Sequence, residues 1–207
     1  MNRLGSTAVG VTPIGLGTAQ LGNLYGVMTA EEAAAIVDTA WMRGVRYFDT
    51  APHYGLGLAE RSLGAALARY PRDQYVLSTK VGRLIVDGER QWDFSAAGVR
   101  RSLEESLDRL GLDRVDVALV HDPEGHLGAA LGEAVPELVR MREAGILGAI
   151  GVGSGTLQAL EPFAAEADID AVMVAGRLTV LEQPALERLV PTCRARGISI
   201  LNAGVFN

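Results

Sequence analysis

The sequence has few of the residues that several protein classes require. Its 25 acidic residues outnumber 19 lysines and arginines, and the formal charge of −6 argues against a nucleic-acid partner, because phosphate binding needs a basic surplus. A single cysteine excludes an intramolecular disulfide framework and indicates a reducing, cytoplasmic compartment. Three histidines and one cysteine show no ligand spacing, so no metal is predicted. No apolar run approaches the roughly 18 residues of a membrane span, so no membrane association is predicted.

The chain is rich in apolar residues and glycine. Hydrophobic residues make up 48% of it, which is enough for a sizeable core. The 25 glycines predict many tight turns. No linker, low-complexity tract or charge block divides residues 1–207, which favours a single domain.

Short apolar runs alternate with helical patterns along the chain. Each run is nearly continuous and rich in aliphatic residues, which is typical of buried parallel strands. Between the runs, Thr29 and Glu32 form a capping box, Ser95 can cap a second helix, and Pro136 predicts a late start or a kink in a third. The predicted strands are residues 46–49, 75–79, 115–120, 149–152, 171–174 and 198–201, after a weaker candidate at 11–17 and a small hairpin at 7–12.

This alternation predicts an α/β fold, a (β/α)8 TIM barrel. Strand ends recur about every 31 residues, so seven strands fit into the chain, whereas a closed barrel has eight strands and about 250 residues. Because the sequence stops directly after the seventh strand, we expect the C-terminal strand–helix unit or units to be missing from it. An open doubly wound sheet is the alternative, but no Gly-x-Gly-x-x-Gly follows the first strand.

Four groups with useful chemistry follow consecutive predicted strands, where a barrel of this type places its active site. Asp49 closes the second strand and Tyr54 lies in the following loop, while Lys80 and His121 close the third and fourth strands. Each alone has an ordinary explanation: a turn carboxylate, a packing aromatic, a solvated cation and a core histidine. Together they would converge at adjacent strand ends, and that conjunction favours a catalytic site.

Such a set suits proton transfer coupled to a second bond change. A free tyrosine has a pKa of about 10 and is a poor base, but a neighbouring ammonium favours the phenolate. Asp49 would keep Lys80 charged and in place, and His121 would orient a substrate oxygen or relay the proton. The set contains no hydride carrier, so a nicotinamide cofactor would have to supply one.

The residues around this set resemble the aldo-keto reductase family. Asp49, Tyr54, Lys80 and His121 match the family's Asp, Tyr, Lys, His tetrad one by one. The likeness covers nearly all 207 residues and implies an NAD- or NADP-dependent oxidoreductase with Tyr54 as general acid and base. The other matching segments are 15–18, 48–55 with Glu60 and 63–64, and 102–111 with Asp116.

Two departures from many relatives point to one branch of that family. Residues 175–179 stand where many relatives carry a Gln-x-x-Tyr-Asn-like segment, and 202–204 stand where many place a tyrosine on the nicotinamide. With 121–123 and 204–207, these resemble the branch of L-fucose, D-threo-aldose and pyridoxal dehydrogenases. This resemblance implies an aldose or pyridoxal-like hemiacetal as the small-molecule substrate. Tyr54 would remove the hydroxyl proton as hydride leaves carbon, giving a lactone.

The resemblance also implies which residues bind cofactor and substrate. Ser154 would contact the nicotinamide carboxamide or cap the helix that follows, and His53 would reach substrate hydroxyls or lie on the surface. Glu60 would pair internally and hold the loop of Tyr54. The implied cofactor residues are Gly17, Thr18, Asp49, Ser154, Gly204, Val205 and Phe206. The candidate substrate residues are His53 with Tyr25 and Trp92, which lie in loops at the predicted barrel mouth; Trp92 is favoured, because a loop tryptophan needs an apolar partner.

Two alternatives of other classes stay open. A cofactor-sensing regulatory subunit of the same fold, without significant turnover, would show an exposed apolar patch on its outer helices. An inactive remnant of such a barrel would expose strand edges and aggregate. The tetrad favours the enzyme. Both NAD and NADP are compatible with the sequence, and no oligomeric state is predicted.

Overall fold

A parallel sheet surrounded by helices forms the core of the molecule. The computed structural model describes residues 1–24 and 26–206. The strands are β1 (Asn2–Arg3), β2 (Gly10–Val11), β3 (Leu16–Gly17), β4 (Tyr47–Asp49), β5 (Val76–Val81), β6 (Arg83–Val86), β7 (Glu89–Trp92), β8 (Val117–His121), β9 (Ala149–Ser154), β10 (Ala171–Ala175) and β11 (Ser199–Ala203). The α-helices are α1 (Ala30–Met42), α2 (Leu58–Leu67), α3 (Ala96–Leu110), α4 (Leu127–Ala129), α5 (Val135–Glu143), α6 (Leu157–Glu166) and α7 (Leu189–Arg196).

Seven strands form one sheet in the order β11-β10-β9-β8-β5-β4-β3, and every neighbouring pair is parallel. The order follows the chain without reversal, so the doubly wound alternative is wrong and the barrel prediction is confirmed. Within the described ranges β3 and β11 are the edge strands, and both line a cavity of about 680 Å³. The sheet is therefore a nearly closed barrel.

Alternate strand residues contribute to two separate apolar clusters. Ala118 and Val120 of β8 pack with helix residues, in the layer between sheet and helices. Val117 and Leu119 pack with Leu4 in a second cluster inside the barrel. The period of two in a strand therefore decides which side chains point inward.

An N-terminal hairpin fills the bottom of the barrel. β1 and β2 pair antiparallel, with Asn2 opposite Val11, and the Gly5 amide donates to Ser199 Oγ at 2.9 Å. The hairpin thus spans more of the chain than the predicted 7–12. The predicted first strand at 11–17 shrinks to β3, because Pro13 lacks an amide hydrogen for the sheet.

The helix boundaries follow their capping residues. Thr29 and Glu32 form the predicted capping box of α1, and the Ser95 hydroxyl accepts the Gly98 amide at the start of α3. Pro136 follows a π-helical segment over Ala130–Ala134, so it marks a distortion rather than a late start. No helix in the described ranges combines the length and apolar character needed to cross a membrane.

A second hairpin, β6–β7, was missing from the sequence prediction. Its two-residue turn is Asp87-Gly88, both with positive φ of 53° and 79°, which is the geometry that favours an Asp-Gly hairpin. Its base is closed by the Asp93 amide, which donates to the Gly82 carbonyl at 3.0 Å. The hairpin stands at the same end of the barrel as the predicted active site.

Candidate active site

Side chains alternate between the two faces of each strand, and this alternation places the predicted polar residues inside the barrel. His121 continues the inward series of Val117 and Leu119 on β8. By the same period, Asp49 follows Tyr47 on β4, and Lys80 lies on the inward face of β5. The structure thus brings the side chains of Asp49, Tyr54, Lys80 and His121 together around one cavity of about 220 Å³.

A buried ion pair lies at the centre of this group. Lys80 Nζ donates to Asp49 Oδ2 at 2.7 Å and to the Thr50 carbonyl at 2.9 Å. Only 2% of the Lys80 side chain is exposed. Burial lowers the pKa of Lys80, but Asp49 and Tyr54 outweigh that effect and hold the pKa above its usual value. Lys80 therefore carries its charge at physiological pH.

Two further residues of the same inward layer orient Asp49. Ser78 Oγ donates to Asp49 Oδ1 at 2.6 Å, and Tyr47 Oη lies 3.0 Å from Ser78 Oγ. Burial, and then the Asp49 charge, raise the pKa of Tyr47 far above its usual value, so Tyr47 stays protonated as a donor. Sequence reasoning missed both residues. The only signal was positional, because each lies two positions before a predicted site residue on its strand.

Tyr54 lies beside this pair at the mouth of the barrel. Its ring centroid is 4.8 Å from Lys80 Nζ and 5.9 Å from the His121 ring, which it meets edge-on. The loop is held by a close backbone contact, since a Cβ on Gly22 would lie 2.5 Å from the Tyr54 carbonyl carbon. Gly55 has φ of +61° and faces the same contact. The two glycines thus fix the height of Tyr54 above Lys80.

A buried carboxylate connects that loop to the scaffold. Glu60 is fully buried; it accepts the Thr79 hydroxyl at 2.7 Å and Arg109 Nε at 2.6 Å. Thr79 points outward from β5, between Lys80 and Ser78, and Arg109 belongs to α3. The predicted internal pairing of Glu60 is therefore confirmed.

His121 is the neutral member of the group. It is 5% exposed, and burial, followed by Lys80 and Arg83, lowers its pKa well below the usual value. Its Nδ1 has no hydrogen-bond partner among the described residues. Its Nε2 lies 3.5 Å from Asp122 Oδ2. A neutral imidazole at the cavity wall can donate to, or accept from, a substrate oxygen.

Most of the predicted cofactor residues line the same cavity as the tetrad. Gly17, Thr18, Asp49, Ser154 and Gly204 do so. Val205 instead lines the larger cavity between β3 and β11, and Phe206 is 90% exposed and lines neither. The glycines leave walls without side chains and Ser154 supplies a hydroxyl, so the lining fits a planar nicotinamide with a polar carboxamide.

Ser154 and Thr18 are also tied into the fold. The Ser154 hydroxyl donates to the Glu124 carboxylate and accepts the Thr156 amide at 2.8 Å, ahead of α6. The helix cap itself is Thr156. Thr18 is fully buried, and both its amide and its hydroxyl donate to the Asp49 carbonyl at 2.9 Å.

The predicted substrate residues are placed differently from one another. Trp92 ends β7, is 47% exposed and lines a cavity of about 540 Å³ beside the tetrad. His53 is buried, so the surface alternative is wrong, and its Nε2 lies 3.0 Å from the Leu84 carbonyl. Burial lowers the pKa of His53 to about 4. The structure does not bring His53 into either cavity, and Tyr25 lies outside the described residues.

Sequence reasoning also missed the polar lining of that larger cavity. It is formed with Trp92 by Arg83, Asp122, Glu124, His126 and Thr156. Arg83 forms an ion pair with Asp122. Burial raises the pKa of Asp122, and Arg83 opposes that rise.

Comparisons with known proteins agree with this geometry. The sequence model of the Aldo/keto reductase family matches residues 13–207. The chain belongs to the aldo/keto reductase family. It is 44% identical to D-threo-aldose 1-dehydrogenase of a Pseudomonas species, over 98% of this chain and 68% of that protein. It is 35% identical to pyridoxal 4-dehydrogenase of Microbacterium luteolum, over 99% of this chain and 70% of that protein. These relatives match the branch that the sequence predicted.

A solved structure supports the same family and fold. The holo form of the aldo-keto reductase AKR11C1 of Bacillus halodurans superposes with a TM-score of 0.84 at 25% identity. The match covers 97% of this chain and 64% of that one. The chain is thus an oxidoreductase of a family that uses nicotinamide cofactors.

Proposed function

We propose that this protein is an NAD(P)-dependent dehydrogenase that oxidises the hemiacetal of an aldose or of a pyridoxal-like aldehyde to the lactone. The observation that carries the proposal is the buried Lys80–Asp49 pair, placed 4.8 Å from the Tyr54 ring and next to a neutral His121. A charged ammonium at that position stabilises negative charge on the Tyr54 oxygen as a proton is transferred.

In this reaction Tyr54 Oη is the general base. It removes the proton from the hemiacetal hydroxyl, whose oxygen then forms the carbonyl of the lactone. The C–H bond of the carbon that bears this hydroxyl breaks in the same step, and a nicotinamide bound beside the tetrad would accept the hydride. His121 holds the reacting oxygen and Lys80 stabilises the phenolate. Asp49 keeps Lys80 charged, and both side chains of that pair are largely buried. In the reductive direction the protonated Tyr54 is the general acid.

Five wall residues support cofactor binding next to the tetrad. Ser154 would hold the carboxamide, and Gly17 and Thr18 would lie along the ribose. Asp49 and Gly204 complete that wall. Val205 and Phe206 would begin the pyrophosphate-binding loop. The single buried cysteine supports a cytoplasmic place for the reaction.

The names of the relatives support the substrate class. One is a D-threo-aldose dehydrogenase and the other a pyridoxal dehydrogenase, so both act on small hydroxylated aldehydes. Trp92 supplies an apolar wall for such a molecule.

Replacing Tyr54 with Phe tests the proposal. We expect turnover to fall at least ~1,000-fold, because the general base is lost, while NAD(P)H still binds. Activity is followed by NAD(P)H absorbance and binding by quenching of the two tryptophans. The control is Tyr70→Phe, which removes a hydroxyl that donates to Asp38 on the outside of the barrel and leaves turnover unchanged. Turnover in Tyr54→Phe equal to that of the wild type would refute the proposed mechanism.

A further inference from the structure

We propose that the cavity formed by Arg83, Trp92, Asp122, Glu124, His126 and Thr156 is a subsite that reads the hydroxyl groups of a neutral polyol and disfavours phosphorylated substrates. The proposal rests on the proposed function and narrows its substrate class. It is called the hydroxyl subsite below.

The hydroxyl subsite borders the reacting position. Asp122 lines both the 540 Å³ cavity and the smaller cavity that contains Tyr54 and His121. A sugar with its anomeric carbon at Tyr54 would therefore extend its remaining carbons past Asp122 into the larger space. The volume is sufficient for a monosaccharide, because ligand pockets typically start at about 300 Å³.

Two carboxylates offer acceptor oxygens in this space. Asp122 uses Oδ2 for Arg83 and for the contact to His121, and Glu124 uses Oε1 for the Ser154 hydroxyl. Among the described residues, these contacts leave Asp122 Oδ1 and Glu124 Oε2 without a hydrogen-bond partner. A carboxylate oxygen accepts bonds only, and a polyol supplies many O–H donors. The lining thus matches the hydroxyls of a sugar.

The remaining wall suits the apolar face of the same molecule. Arg83 and Trp92 are directly paired across the β6–β7 hairpin, with the guanidinium 5.5 Å from the Trp92 ring centroid. His126 stacks on Trp92 at 6.4 Å. A sugar ring has one surface of C–H groups and another of hydroxyls. An aromatic wall can contact the C–H surface, and the carboxylates opposite it can accept from the hydroxyls.

The backbone at Asp122 is held in an unusual conformation that directs it into the cavity wall. Its φ is +41°, a region that non-glycine residues seldom occupy, and its amide donates to the Gly153 carbonyl at 2.9 Å. That turn separates His121, which points into the barrel, from Glu124, which reaches Ser154. The surrounding contacts therefore impose the geometry of the subsite.

The charge of the lining predicts the preference against phosphate. Two carboxylates face one guanidinium, and His126, an exposed residue, is the other titratable group in the wall. Arg83 already pairs with Asp122, so an added phosphate dianion would meet the unpaired charge of Glu124 at close range. A neutral polyol meets no such repulsion.

The test compares substrates in Glu124→Gln and Asp122→Asn. The kcat/KM for oxidation of a neutral aldose is divided by the kcat/KM for reduction of propanal, which has no hydroxyls to read. We expect this ratio to fall about tenfold or more in each variant, because each loses a hydrogen bond to a charged acceptor. Glu133→Gln removes an exposed carboxylate on the outer helix and is the matched control, with the ratio of the wild type.

The second arm uses the same aldose with and without a terminal phosphate ester. The wild type should favour the neutral sugar by at least tenfold, and Glu124→Gln should reduce that preference. A ratio within twofold of the wild type in both variants, or equal use of the phosphate ester by the wild type, overturns the subsite. Aldose oxidation by the wild type separates this outcome from a failure of the proposed function: a wild type that does not oxidise the aldose overturns the proposed function, whereas aldose oxidation with unchanged ratios overturns the subsite alone.

Discussion

Asp49 is held from two sides: Lys80 Nζ lies 2.7 Å from Oδ2, and Ser78 Oγ donates to Oδ1 at 2.6 Å. Both partners lie on β5, two residues apart, and so project from the same face of one strand. The carboxylate can therefore neither rotate nor leave the ammonium without breaking two bonds. The charged pair beside Tyr54 is therefore held in place by two adjacent strands, β4 and β5.

Replacing Asp49 with Asn leaves the Lys80 ammonium buried beside a neutral amide. Loss of one partner of a buried pair typically costs about 3–5 kcal/mol, so we expect the free energy of unfolding to fall by about 3 kcal/mol in urea titrations. Turnover should fall at least ~100-fold, because the charge that supports proton transfer is no longer held. Glu133→Gln, an exposed change, should stay within about 0.5 kcal/mol. An Asp49→Asn protein of wild-type stability would contradict the central role of this pair.

Replacing Ser78 with Ala tests whether Ser78 acts through Asp49. We expect kcat to fall roughly tenfold, since one hydrogen bond to a charged group is lost. In an Asp49→Asn background the same change should have little further effect, because the bond it removes is already altered. The control is Ser102→Ala, which deletes a buried hydroxyl that has no partner among the described residues. Additive effects in the double variant would show that Ser78 acts independently of Asp49.

Stability should decrease as the pH falls below 6.5. The folded-state pKa of His53 is lowered to about 4 by burial, and the pKa of His121 is lowered well below 6.5. Between about pH 6.5 and 4 the unfolded chain therefore binds more protons than the folded chain. The stability contributed by the neutral histidines is complete above 6.5 and is lost toward pH 4, by up to about 1.4 kcal/mol per pH unit for each.

Urea titrations at pH 7 and pH 5 measure this dependence. His53→Gln should reduce the difference in the free energy of unfolding between the two pH values. A His53→Gln protein with the full wild-type difference would show that His53 is not one of the groups responsible.

Replacing Glu60 with Gln should destabilise the loop that carries Tyr54. The change removes the nearer charged partner of Arg109, whose side chain is 14% exposed, and leaves only Glu105 at 3.7 Å among the described carboxylates. We expect a loss of about 3 kcal/mol, which for a chain of this size lowers Tm by roughly 6–12 °C. Glu161→Gln is the control, because its partner Arg188 is largely exposed and 3.6 Å away, and its Tm should change by little. Equal shifts in the two variants would argue against a special role for Glu60.

The period of strands explains which site residues could be predicted from the sequence. Asp49, Lys80 and His121 were accessible because each ends an apolar run, and parallel strands bring their ends together. Ser78 and Tyr47 lie on the same inward faces but within the apolar runs, where a serine or tyrosine gives no signal of its own until the strand pairing is known.

Other parts of the site depend on contacts that a linear pattern does not contain. The Asp87-Gly88 turn is a local signal for the β6–β7 hairpin. The pairing of Arg83 with Trp92, however, depends on the register of the two strands. The bonds from Arg83 to Asp122 and from Ser154 to Glu124 join residues about 30 to 40 positions apart. The burial of His53 depends on the Leu84 carbonyl, which lies on that same unpredicted hairpin.

The two ends of the β6–β7 hairpin meet at one point of the barrel, where the Asp93 amide donates a hydrogen bond to the Gly82 carbonyl. It is therefore an insert whose two ends already touch, and its length and sequence can change without altering the spacing or register of β5 and β8. Sequence changes confined to residues 83–92 can therefore alter the Arg83 and Trp92 side of the proposed hydroxyl subsite, while Asp122 and Glu124 keep their places on the other side.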